Sequence, residues 1–172
     1  MMHYSGLFFD DTKNGTGNRT SLFVSGCDIH CPGCFNKQAW DFNAGKLFTN
    51  ETKKEILDSL DKPYTKGLSI LGGDPISNIK RRDMTLINLV QEAKTYYPNK
   101  TIFVWTGYKY EDIINDDLVK AFLHCIDMLR DGEFIQELKD VTQYLEGSSN
   151  QRYIDVQQSL LYGKVIDNYF KL

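Results

Sequence analysis

The 172-residue sequence predicts an α/β fold: a partial, open parallel β/α barrel of about five strands, in a single domain spanning residues 1–172. Three observations predict it. Short apolar runs rich in β-forming residues alternate with segments of helical periodicity, which implies parallel strands joined by helical crossovers. Four polar motifs, SGC, GGD, TGY and RDG, each begin where such a run ends. The C-terminal ends of parallel strands converge on one face, and chemistry gathers there. Four or five strands are also too few for an eight-fold barrel, so the sheet is expected to stay open.

The elements follow in order. SLFV (21–24) is the first strand and ends at Ser25-Gly26-Cys27. Residues 49–61 are helical, with Ile56, Leu57 and Leu60 on the apolar face and Thr52 with Glu55 as a capping box. GLSIL (67–71) is a buried strand, followed by Gly72-Gly73-Asp74-Pro75. Residues 80–97 read as one helix, because Leu86, Val90, Ala93 and Tyr97 recur at helical spacing and Pro98 stops the run. TIFVW (101–105) is the next strand and leads into Thr106-Gly107-Tyr108. Residues 110–124 form one or two short helices, with Asp116 or Asp117 as N-cap. CIDML (125–129) is the fourth strand, before Arg130-Asp131-Gly132, and RYIDV (152–156) is the fifth.

Composition narrows the function classes. The hydrophobic share of 41% and charged share of 25% are those of a globular protein. A formal net charge of −3 offers no basic footprint for nucleic acid. The opening MMHYSGLFFDD lacks the apolar run of a signal peptide. No stretch approaches the ~20 apolar residues of a membrane span. A cytoplasmic location is therefore expected, where clustered cysteines serve metals or catalysis rather than disulfides.

Three of the four cysteines, Cys27, Cys31 and Cys34, fall within SGCDIHCPGCFN at C-x3-C-x2-C spacing. Thiolates favour iron–sulfur clusters, zinc and copper(I). A four-iron four-sulfur (4Fe-4S) cluster commonly takes one cysteine per iron, so three cysteines leave one iron open to a substrate. A zinc knuckle completed by His30 or Cys125 is the alternative. Cys125 itself reads as a buried, inert thiol at the start of the fourth strand.

The C-x3-C-x2-C motif after the first strand, with GGDP after the second, resembles the radical S-adenosylmethionine superfamily. More closely, NGTGNRTSLFVSGCDIHCPGCFN, LSILGGDP, VWTGY, RDGEF and EGSSNQRYIDV resemble the activating proteins of anaerobic (class III) ribonucleoside-triphosphate reductases. The resemblance implies that Cys27, Cys31 and Cys34 hold a 4Fe-4S cluster. It implies that the reduced cluster cleaves S-adenosylmethionine, and that the resulting 5′-deoxyadenosyl radical takes a hydrogen from a glycine of the large reductase subunit. Reduced flavodoxin would be the electron donor. Gly72, Gly73 and Asp74 would meet the methionine ammonium. Asp131 would face the methionine carboxylate through a monovalent cation, with Thr106 adding an oxygen ligand. In many members an aromatic residue before the third cysteine touches the adenine. Here that residue is Gly33, and Phe35 with Asn36 follows the cysteine on the cofactor side. No cysteine-rich insert for a second cluster lies between Cys34 and Gly72. By the same resemblance NGTGNR (14–19) borders the site, where Arg19 would contact a partner or a ligand carboxylate. GSSNQR (147–152) offers groups for a ligand or a partner backbone. Two alternatives stay open: a small radical enzyme acting on a free metabolite, and a non-catalytic zinc or iron–sulfur module.

Overall fold

The computed structural model describes residues 1–142, 145, 147–167, 169 and 170. The chain forms a mixed α/β domain around a seven-stranded sheet. In chain order its elements are β1 (His3–Asp11), β2 (Asn18–Val24), β3 (Lys46–Leu47), α1 (Asn50–Asp61) and β4 (Thr65–Gly72). Next come α2 (Pro75–Lys80), α3 (Thr85–Tyr96), β5 (Thr101–Trp105), α4 (Tyr110–Ile113), α5 (Asp117–Leu123) and β6 (Met128–Asp131). A small hairpin, β7 (Lys139–Asp140) with β8 (Gly147–Ser148), precedes β9 (Arg152–Asp155) and α6 (Val156–Tyr162). The sheet order is β3-β1-β2-β4-β5-β6-β9.

The central strands β2, β4, β5 and β6 are parallel, as the alternation requires. The expected fifth strand exists but runs antiparallel to β6. A parallel return needs a long crossover, usually a helix, and no α-helix occurs among the described residues of 132–151. The N-terminal strand β1, antiparallel to β2, carries no core alternation that a sequence reading can catch. None of its residues is fully buried, Phe8 and Phe9 are exposed, and its register shifts twice.

Three other boundaries move for local reasons. Thr49, rather than Thr52, caps α1: its Oγ1 accepts the Thr52 N–H, and Thr52 Oγ1 accepts the Thr49 N–H. Of the expected helix over 80–97, α3 supplies residues 85–96, and only Lys80 belongs to the separate helix α2 before it. Asp74 caps α2 with Pro75 in its first turn, and the chain turns at Arg82 with φ 64°. Asp83 then accepts the Thr85 N–H, which restarts the helix. The fourth strand begins at Met128, because the Asp127 carboxylate takes the Ile102 N–H in place of a ladder bond. Cys125 therefore lies in the turn after α5, half-buried. Asp116 is the N-cap of α5, its carboxylate accepting from Leu118 and Val119.

The two faces of the sheet differ, as period-two alternation allows. On one face Leu22, Val24, Leu68, Ile70, Ile102, Val104 and Leu129 pack under Ile56, Leu60, Ile79, Val90 and Phe122 of the helices. On the other lie Arg19, Ser21, Ser69, Phe103 and Arg130, all nearly inaccessible. Phe23, Leu71 and Trp105 continue these rows to the strand C-terminal ends, where a cleft opens. No helix among the described residues is long and apolar enough to cross a membrane.

Candidate iron–sulfur and cosubstrate site

The first cysteine leaves β2 through Gly26, at φ 96°, where a Cβ would stand 2.1 Å from the Phe42 ring. The loop is tied on both sides by backbone. Gly26 N–H donates to Ala39 O (2.7 Å), and Cys27 N–H to Trp40 O (3.1 Å). Across the sheet, Gly73 N–H donates to Val24 O and Asp74 N–H to Gly26 O, both at 2.7 Å. The glycines of the second motif permit this approach. A Cβ on Gly72 would lie 2.7 Å from Val24 O, and one on Gly73 2.5 Å from Gly26 O. Cys31 and Cys34 close a turn through Gly33 at φ 77°, with Cys34 N–H on Cys31 O at 3.1 Å.

Cys27, Cys31 and Cys34 line one cleft of about 840 Å³, its open mouth included, together with Gly72, Gly73, Asp74, Thr106, Phe35 and Asn36. Burial pushes the Cys27 and Cys31 thiols up from their usual range, opposed at Cys27 by backbone N–H groups of His30 and Ile29. A bound cationic group favours the thiolate and releases those protons. A single zinc draws every sulfur to ~2.3 Å, whereas a cluster takes each thiolate on a separate iron. His30 is exposed and stacked on Trp40 with ring centroids 4.3 Å apart, and Cys125 lies in the turn before β6. Neither lines the cleft that holds the three thiols. The donor set thus fits a multi-iron group better than a zinc knuckle.

Asp74 lies in the cleft wall, but its carboxylate is engaged within the protein. Oδ1 accepts from Ser77 N–H (2.8 Å), and Oδ2 from Thr106 Oγ1 (2.8 Å) and Gly107 N–H (2.9 Å). Burial pushes this carboxyl up, and these donors oppose the shift. Asp74 therefore locks the GGD and TGY loops together, and Gly72 and Gly73 line the cleft beside it. Thr106 is committed too, since its Oγ1 also accepts the Tyr108 N–H at 3.2 Å.

Asp131 departs from the expectation of a cation site. It is fully buried and does not line the cleft. Its carboxylate takes both Arg152 Nε (2.9 Å) and a second Arg152 nitrogen, with Tyr110 N–H at 2.8 Å. The charge facing Asp131 is the guanidinium of Arg152, the last residue of the GSSNQR segment expected to offer groups to a ligand or a partner backbone. Arg152 also binds Glu111 through two nitrogens, at 2.9 and 2.7 Å.

Arg19 departs as well. NGTGNR lies at the start of β2, beside the start of β4, and the cleft lies at the other end of these strands. Arg19 is completely buried there, bonded to Ser69 Oγ (2.8 Å), Thr101 Oγ1 (2.9 Å), Leu68 O (2.9 Å) and Thr101 O (2.8 Å), with Phe103 stacked on it at 3.8 Å. Of GSSNQR, Gln151 reaches the cleft wall. It is held by Gly132 O and Ser148 N–H. Phe35 is almost wholly exposed at the mouth, and Asn36 is half-buried. The aromatic walls Trp40, Trp105 and Phe134 were not singled out. Their signal was proximity to motifs: Trp105 ends the strand before TGY, and Phe134 closes RDGEF.

Residues 13–154 match the family model described as a 4Fe-4S single cluster domain. Relatives agree over most of their length. The anaerobic ribonucleoside-triphosphate reductase-activating protein of Haemophilus influenzae is 41% identical over 152 residues, 87% of this chain and 96% of that one. Those of Enterobacteria phage T4 and Escherichia coli K12 are 39% and 40% identical, with 88% and 87% of this chain covered and 92% and 96% of theirs. The chain belongs to the family of anaerobic ribonucleoside-triphosphate reductase-activating proteins.

Proposed function

We propose that this chain holds a 4Fe-4S cluster through Cys27, Cys31 and Cys34, reductively cleaves S-adenosylmethionine there, and so leaves a glycyl radical on the large subunit of an anaerobic ribonucleotide reductase. The observation that carries the reading is convergence. Three thiols from one loop and the Gly72–Asp74 loop, some forty residues on, open into the same cleft at the ends of parallel strands. When bound, the cluster supplies the single electron that breaks the sulfonium–C5′ bond. The chain's own residues position and shield. The backbone at Gly72 and Gly73 meets the methionine ammonium, with Asp74 fixing that backbone rather than touching the ligand. Trp40, Trp105 and Phe134 keep water from the reacting atoms. The open mouth beside Phe35 admits a glycine-bearing loop of the partner, because glycine has no side chain to obstruct a hydrogen-abstracting carbon.

We read the seven-stranded sheet as an open partial barrel, the protein as cytoplasmic with no disulfide among its four cysteines, and its electron source as a reduced flavodoxin. The test is anaerobic reconstitution with iron and sulfide. Cleavage of S-adenosylmethionine should be slow with this protein alone. With the cognate reductase it should give 5′-deoxyadenosine and a glycyl doublet in electron paramagnetic resonance. Fast turnover of a free metabolite without reductase would assign a different substrate. No cleavage under strong reductant would leave only a binding module.

A further inference from the structure

The cysteine loop is held by a helix that carries none of its ligands. We propose that Asp28, Ser77 and Arg81 are positioning residues that set where Cys27 and Cys31 stand, an inference that rests on the cluster reading above. Asp28 follows the first thiol directly. Its N–H donates to Ser77 Oγ at 3.1 Å, and its carboxylate takes Arg81 Nε at 3.2 Å and a second guanidinium nitrogen at 2.7 Å. The Arg81 guanidinium also lies 3.6 Å from the centre of the Phe42 ring, the ring packed against Gly26 just before Cys27. Ser77 donates its own N–H to Asp74 at 2.8 Å, and Asn78 Nδ2 donates to Ser25 O at 2.9 Å. One short helix, α2, thus grips the chain just before and just after Cys27 and is itself capped by the GGD loop. A shift of α2 would move both loops that form the cleft.

The geometry has a specific energetic signature. Arg81 is 55% exposed and Asp28 39%. An exposed pair adds little to global stability. Its effect falls on the short Cys27–Cys31 segment, whose order the cluster needs before three thiolates reach three irons.

The test uses full-length protein in four forms: wild type, Asp28→Asn, Arg81→Gln and the double variant. In cluster-free protein, hydrogen exchange at the residue-28 amide reads the tether itself. In loaded protein, decay of the visible absorbance under a ferrous chelator reads retention. Each single variant should speed both by about three- to fivefold, the double variant should be no faster than either single, and 1 M salt should bring wild type towards the variants. Melting temperatures of the four should agree within about 4 °C. Additive effects, unchanged exchange, or a larger drop in melting temperature would overturn the proposal. Should wild type take up no cluster, the functional reading fails, and the exchange measurement still judges the tether.

Discussion

Arg19 shows how far one residue's surroundings outweigh its type. A guanidinium in a Gly-rich loop suggests contact with a ligand, yet this one is sealed inside the sheet by side chains and carbonyls of β4 and β5. Phe23 on the cleft wall lies four positions further along the strand, about 13 Å away, which is out of reach. Its role is to satisfy polar groups that the interior would otherwise leave unpaired. Arg19→Met should cost about 3 kcal/mol or more, because it strands buried acceptors on Ser69, Thr101 and Leu68. Urea denaturation would read this as a lower midpoint at similar slope. The folded fraction should still take up iron and sulfide to the wild-type extent. A normal midpoint with lost loading would return Arg19 to the site.

At the scale of elements, Arg152 of β9 ties α4 to the end of β6 through Glu111 and Asp131. It anchors the one strand that runs against the parallel centre at that edge. The Arg152 guanidinium holds the Glu111 carboxyl down at about 2, against an ordinary 4.5. A depressed acid contributes stability that is fully present above its unfolded value and is lost as pH falls through its folded one. Glu111 is 54% exposed, so solvent screening limits the effect to about 1 kcal/mol at most. Glu111→Gln should therefore be less stable than wild type by up to that amount at pH 7. The difference should stay flat down to about pH 5 and close by about pH 2. A gap that widens on acidification, followed by denaturant titration at several pH values, would contradict this assignment.

For the whole molecule, the parallel direction of β2, β4, β5 and β6 sorts the cysteines. Cys27, Cys31 and Cys34 follow a strand, at the end where Gly72 and Thr106 also emerge. Cys125 precedes a strand and so lies towards the opposite end, packed against the hydrophobic core. Alanine at Cys27, Cys31 or Cys34 should abolish the broad visible absorbance of the reconstituted protein, whereas Cys125→Ala should keep it. Absorbance lost with Cys125, or stoichiometric zinc in place of iron, would break the three-ligand assignment.

The sequence alone determined the parallel α/β centre, the three thiols and the loops that share their cleft. These rest on local patterns: three cysteines within eight residues, apolar runs of strand length, and glycines at strand ends. Only the tertiary structure decided which polar residues face inward and what answers them. Arg19 meets Thr101 across 82 positions, Asp74 meets Thr106 across 32, and Asp131 meets Arg152 across 21. The reversed direction of β9 and the presence of β1 were hidden for the same reason. A strand at or next to a sheet edge owes its place to a neighbour's unpaired backbone groups, not to an apolar rhythm of its own. A buried charge finds its partner only when distant strands are laid side by side, and no spacing along the chain records that meeting.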